Sequence, residues 1–166
     1  DWHIRHGALL GICALLKAWK KTRPKSIGAW PRDILARCVC LLCLDRFGDF
    51  SGALIDTSTA SGGVIAPTRE IAGQTLSLLY SISSAEERQQ TNESLASLAM
   101  AEPWEARHGA MVALKYIMTL STVHGVDDSL PRDTMSIYQM ARRAFSDSSD
   151  DVKGEACQIL LQVSHN

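Results

Sequence analysis

Three groups of residues have types and spacings that could do chemistry. His3 and His6 stand near Asp1, and His108 follows Glu105 by three residues, so each could be imagined as half of an acid–base pair with a carboxylate. Cys38, Cys40 and Cys43 could supply thiolates to a metal. Lys17, Lys20, Lys21, Arg23 and Lys25 form a cationic run with no acid inside it, suited to phosphates or an acidic protein.

Each group also has a plainer reading. Arg-His-Gly occurs twice, at Arg5–Gly7 and Arg107–Gly109, and a catalytic pair has no reason to recur at one repeat position, so the histidines are read as structural. On a helix the three cysteines point near about 0°, 200° and 140°, within an apolar run that offers no fourth ligand. They are read as small buried hydrophobes, with no metal and no cofactor expected. The cationic run also suits the end of a helix, where positive charge complements the carbonyl end of the dipole. No nucleophile elbow is present, and Ser61-Gly-Gly63 is not followed by the Lys-Ser/Thr of a phosphate loop, so no catalytic residue is assigned.

Composition sets the frame for these residues. Of 166 residues, 46% are hydrophobic and 21% charged, a balance that orders a chain rather than leaving it disordered. The net charge of −1 predicts neither a nucleic-acid binder nor an acidic tail, but its distribution is uneven. Residues 1–50 carry nine basic and four acidic side chains, and the remainder eight and fourteen. The chain begins at Asp1 without an initiator Met, which reads as an excised piece. Five cysteines in apolar helical sequence point to reduced intracellular thiols. No apolar stretch reaches membrane-spanning length, so no membrane association is expected.

Helical periodicity recurs and strand alternation does not. The pattern predicts helices over 2–21, 31–47, 66–81, 85–100, 103–120, 131–145 and 150–163, with Pro31, Pro67 and Pro131 near starts and Gly48 at a stop. In the first helix Ile4, Ala8, Ile12, Leu15 and Trp19 share one face, the expected core side, opposite His6, Lys17, Lys20 and Lys21. Residues 51–63, with three glycines and several hydroxyls, predict a flexible loop inserted in a single domain spanning 1–166.

The helices repeat. Trp2-His-Ile-Arg-His-Gly-Ala8 returns as Trp104-Glu-Ala-Arg-His-Gly-Ala110, and Ile4, Ala8, Gly11 and Leu15 correspond to Ala106, Ala110, Ala113 and Ile117. Weaker echoes place Arg69 three residues before Ala72 and Lys153 three before Ala156. Helices one, three, five and seven are therefore one class, the second helix of each repeat, and the others the partner class. The expected fold is all-α, a HEAT-type α-α superhelical solenoid of about three and a half antiparallel hairpins.

That fold directs attention to the repeat joints. Arg69 and Arg107 fall in first turns, where a cation opposes the dipole, so each is expected to pair with a carboxylate of a neighbouring hairpin. Asp45, Arg46 and Asp49, at the end of the second helix, are candidates for that network, along with Glu70, Glu105 and His108. The same residues could instead face a partner, as could Trp104, which otherwise reads as a hydrophobic staple between repeats. One solenoid edge would gather the joints near 49–66, 100–104 and 145–151, and the other those near 22–30, 82–86 and 121–130.

Leu44-Asp-Arg-Phe-Gly-Asp-Phe50, Val64-Ile-Ala-Pro-Thr-Arg-Glu70 and the two Trp-x-x-Arg-His-Gly segments together resemble the N-terminal HEAT-repeat region of the TATA-binding-protein-associated Swi/Snf-type ATPases, the modifier-of-transcription family. The resemblance covers essentially the whole chain. It implies a nuclear scaffold that grips TATA-binding protein through its interhelical turns, while a separate motor hydrolyses ATP and acts on adjacent DNA. Partners implied are TATA-binding protein, the adjoining HEAT repeats and the ATPase domain, with DNA contact resting on the Lys17–Lys25 run. The alternatives are a purely structural solenoid segment and a basic-edge contact module. Relative to the family pattern, this chain carries a longer joint at 51–63 and His3 where a Glu is usual.

Overall fold

The computed structural model describes residues 1–22, 30–44, 67–123 and 131–164. Among the described residues the chain forms seven α-helices and no strand: α1 (Trp2–Thr22), α2 (Trp30–Leu44), α3 (Pro67–Ile82), α4 (Ala85–Ala99), α5 (Trp104–Val123), α6 (Pro131–Ala144) and α7 (Asp150–Ser164). The predicted loop at 51–63 lies outside the described residues.

Local chemistry accounts for these boundaries. Pro67 and Pro131 open α3 and α6 at a position where the missing amide proton costs no helix bond. Ser84 caps α4 in a reciprocal box: the Glu87 backbone N–H donates to Ser84 Oγ at 3.3 Å, and the Ser84 N–H donates to Glu87 Oε2 at 2.9 Å. Asp150 and Asp151 occupy the first turn of α7, and Lys20 and Lys21 the last turn of α1, each with the sign that suits its end of the dipole.

Packing follows the alternation expected of a HEAT-type solenoid. The odd-numbered helices stack in series, α1 on α3, α3 on α5 and α5 on α7. The even-numbered helices form a second layer: α2 lies against α3 and α5, α4 against α5, and α6 chiefly against α7. Leu76 and Leu79 of α3, and Met111, Leu114, Ile117 and Met118 of α5, fill the centre. α4 is largely polar and buries only Thr91 and Leu95, as befits an outer helix. Small residues set the spacing. A Cβ on Gly73 would come within 2.9 Å of the Tyr116 ring, so glycine is what lets α3 approach α5 this closely.

The structure corrects the expected core face of α1. Leu9, Cys13 and Leu16 turn inward, with Ile12 partly buried against them, whereas Ile4 is 71% exposed and Leu15 69%. Ala8 is exposed and Trp19 half-buried. α1 is apolar around most of its circumference, so periodicity alone did not identify the side that meets α3. Cys40 is likewise exposed rather than buried, while Cys38 is fully buried and Cys43 intermediate.

Candidate functional site

The joints between hairpins gather the charged side chains. Arg107, in the first turns of α5, reaches the α6–α7 joint. Its Nε donates to Asp147 Oδ2 at 2.7 Å and its Nη2 to Asp147 Oδ1 at 2.9 Å, a bidentate pair. Its Nη1 donates to the carbonyls of Ala101 at 3.0 Å and Glu102 at 2.5 Å, in the middle of the α4–α5 joint. One guanidinium thus ties two successive joints on one edge of the stack. Hydrogen bonding to Arg107 holds the Asp147 carboxyl below the usual range, and the same bond raises Arg107. Asp147 also accepts from the Ser149 N–H at 2.9 Å, which shapes the turn into α7.

Arg69 holds the equivalent place in α3 and is fully buried. Its Nη1 donates to the Glu105 carbonyl at 2.7 Å and lies 3.3 Å from His108 Nδ1. His108 is buried beside Trp104, whose ring meets it edge to face at a centroid distance of 6.3 Å. Burial, reinforced by the positive charges of Arg69 and Lys115, lowers the His108 pKa to about 3. The imidazole is therefore neutral at physiological pH, with its Nδ1 lone pair available to the Arg69 donor. Lys153, the corresponding cation of α7, instead pairs within its own helix with Asp150 at 2.6 Å.

A second network, built on the candidate Glu70 but with partners the sequence did not single out, crosses three stacked helices. Lys115 of α5 donates to both oxygens of Glu70 on α3, at 3.2 and 3.3 Å, and lies 2.8 Å from Glu155 Oε2 on α7. Tyr116 O–H donates to Glu70 Oε2 at 2.5 Å and accepts from Gln74 Nε2 at 3.2 Å. Burial disfavours the Lys115 charge, but Glu155 and then Glu70 outweigh it and hold the ammonium above its ordinary range. Burial pushes the Glu155 carboxyl up, against the pull of Lys115. A signal was present in the sequence: Lys115 is the one charge inside Ala110–Ile117, and a lone cation in an apolar helix needs a carboxylate partner.

The other sequence candidates are placed as follows. Asp45, Arg46, Asp49, Arg23 and Lys25 lie outside the described residues. Lys17 and Lys21 are exposed and Lys20 is half-buried, all near the end of α1. Glu105 is half-buried and contributes its carbonyl to Arg69. His3 Nδ1 lies 3.0 Å from Asp1 Oδ1 on the surface, both side chains more than half exposed. Burial raises the Cys38 thiol to about 12, assisted by Cys13, which removes nucleophilic character at neutral pH.

Between α2 and α4 runs an open groove of about 720 Å³, with Leu35, Val39 and Ile82 among its walls. It is spanned by Arg32 Nε and Glu87 Oε1 at 2.6 Å. Among the described residues no cluster of three or more His, Cys, Asp or Glu side chains could hold a metal ion, and no helix is long and apolar enough to cross a membrane. No catalytic motif stands in the sequence. The Arg107 and Lys115 networks fasten helices and joints to one another.

Comparison with known proteins places this arrangement. No protein-family model matches the chain, and no solved structure matches it. Curated proteins do. TATA-binding protein-associated factor 172 of Homo sapiens is 30% identical over 98% of this chain. TATA-binding protein-associated factor MOT1 of Saccharomyces cerevisiae is 28% identical over 99%, and TATA-binding protein-associated factor BTAF1 of Arabidopsis thaliana 28% over 80%. The chain spans only 9%, 9% and 6% of the lengths of these three relatives. The chain is thus homologous, at low identity, to a short stretch of the TATA-binding protein-associated factors of the Mot1 and BTAF1 type.

Proposed function

We propose that this chain is a scaffold segment of a nuclear regulator of TATA-binding protein, which removes that protein from promoter DNA through an ATPase motor carried elsewhere. The observation that carries the reading is the homology, which extends over nearly the entire chain to proteins named for association with TATA-binding protein. The segment contributes recognition or rigidity, because its charged networks join helices and it carries no nucleotide-binding motif.

The edge formed by the α4–α5 and α6–α7 joints is the proposed contact. Arg107 fastens the two joints together, and Met100 and Phe145 stand exposed beside them, an apolar pair of the kind that anchors partners. A purely structural role is the second reading, favoured by the inward turn of Arg69 and His108. Titration of TATA-binding protein against the natural protein, alone and on promoter DNA, distinguishes the two. Weakening of at least tenfold by Met100→Glu with Phe145→Glu supports direct contact. Unchanged affinity in that variant, with helicity retained, overturns direct contact and leaves the structural role.

A further inference from the structure

The cysteines fall into unlike surroundings. Cys13 and Cys38 are sealed in the core, at 3% and 0% exposure, and Cys157 is the only cysteine of α7. Cys40 is exposed and Cys43 half-buried, and they stand at the two ends of a single turn, Cys40-Leu41-Leu42-Cys43, near the end of α2.

That spacing brings two sulfurs within reach of each other. Residues three apart on a helix lie about 60° apart around the axis, with Cα atoms about 5 Å apart. Their Cβ atoms are about 5–6 Å apart. A disulfide spans Cα separations of about 4.4–6.8 Å and Cβ separations of about 3.5–4.5 Å. The Cα spacing already fits, and the Cβ atoms must close by about 1–2 Å. The last turn of a helix yields to such a movement most readily, because its carbonyls have no intrahelical bond to lose. The other pairings on α2 fail: Cys38 and Cys40 point about 160° apart, and Cys38 and Cys43 about 140° apart with more than a turn between them. Burial, with Cys40 adding to it and Arg69 opposing it, raises the Cys43 thiol, so Cys43 waits in its protonated form beside the more accessible Cys40.

We propose that Cys40 and Cys43 are a reversible redox site, oxidised to an intrahelical disulfide by hydroperoxides and returned to the dithiol by small thiols such as glutathione. The Cys40 thiolate attacks a peroxide oxygen, the O–O bond breaks, and Cys40 becomes a sulfenic acid as the leaving hydroxide takes a proton to form water. The Cys43 sulfur then attacks the Cys40 sulfur and loses its proton, while the S–O bond breaks and a second water leaves. Two thiols thus give up two electrons and two protons, and hydrogen peroxide becomes two waters. Closing the Cβ gap strains the product, which makes it easily reduced, as suits a reversible site.

The bridge has a structural readout. A Cβ on Gly109 of α5 would overlap the Leu42 carbonyl oxygen, so the backbone between the two cysteines rests directly on α5. Tightening the turn shifts that carbonyl against the first turns of α5, which carry the Glu105 and His108 contacts to Arg69. The inference does not depend on TATA-binding protein.

The natural protein, reduced and then treated with equimolar hydrogen peroxide, tests it. Alkylation and peptide mapping should find Cys40 and Cys43 joined, with the loss of two hydrogens, and Cys38 still a free thiol once the protein is unfolded. Glutathione should restore both thiols. Oxidation should speed amide exchange over 40–44 and 107–110 at least tenfold, reversibly. Cys40→Ser, at an exposed position, should leave the reduced protein's exchange as it was and make it insensitive to peroxide. Conversion of Cys40 to sulfinic acid with Cys43 still free, or a bridge to any other cysteine, overturns the site. A Cys40–Cys43 bridge that leaves exchange over 107–110 unchanged overturns its link to α5.

Discussion

α1 and α5 begin with nearly the same seven residues, yet one is half bare and the other is enclosed. α5 touches helices of both layers and buries the run from Ala110 to Lys115 completely or almost so. α1 packs principally on α3 and commits a single strip, Leu9, Cys13 and Leu16, to the core. A repeat motif therefore encodes a set of surfaces to be covered, and how many are covered depends on position in the stack. The same side chain can be decisive in one copy and idle in the other.

The largest difference between the copies is expected at Ile117 and its counterpart Leu15. Ile117→Ala removes a sealed side chain between layers and should cost about 3 kcal/mol, through lost burial and the cavity left behind. Leu15→Ala removes an exposed one and should change stability by no more than about 0.5 kcal/mol. Urea melts of both variants of this chain measure the contrast. Equal losses would mean that α1 is as enclosed as α5, and the comparison would collapse.

The charged position sharpens it further. Arg107→Ala leaves Asp147, the Ala101 carbonyl and the Glu102 carbonyl without their shared donor, and should cost about 2 kcal/mol. The two joints should loosen together, visible as faster amide exchange at both 100–103 and 145–149. Asp147→Asn should recover part of the loss when combined with Arg107→Ala, since no carboxylate is then left unpaired. A double-mutant cycle between the two positions with no coupling would remove Arg107 from the joint.

How far the sequence discloses all this depends on whether the signal is local. The helix starts were visible because prolines, the Ser84–Glu87 box and acidic first turns act over three or four residues, while the expected stop at Gly48 lies outside the described residues. The alternating layers followed from the Trp-x-x-Arg-His-Gly-Ala duplication. The buried side of α1 did not, because Leu9, Leu10, Ile12, Leu15 and Leu16 surround the helix and only the position of α3 selects among them. Partner identity was harder still. The carboxylate that Arg107 meets is Asp147, 40 residues away, chosen by how the joints stack. The Lys115–Glu70–Glu155 bridge needed the same knowledge, although the solitary Lys115 was a local sign that some bridge existed.

His108 supplies the subtlest contrast with its counterpart His6, which is only half-buried. Buried among Trp104, Arg69 and Lys115, His108 has a folded pKa of about 3, while in the unfolded chain it returns to its ordinary 6.5. Below about pH 6.5 the unfolded state therefore binds a proton that the folded state refuses. The stabilisation is whole above that pH and is lost at about 1.4 kcal/mol per pH unit down to about pH 3. Asp147, held low by Arg107, loses its own contribution only as pH falls below the ordinary carboxylate range, whereas Glu155, whose carboxyl burial raises, takes up its proton earlier in the folded state and opposes the loss, so the share of the imidazole is the part of the slope that disappears when His108 is replaced. A urea series across that interval should show the slope, and His108→Gln, which keeps an acceptor for Arg69, should flatten it. A slope that persists undiminished in His108→Gln would take the titration away from the enclosed imidazole, and with it would go the claim that enclosure separates the two copies.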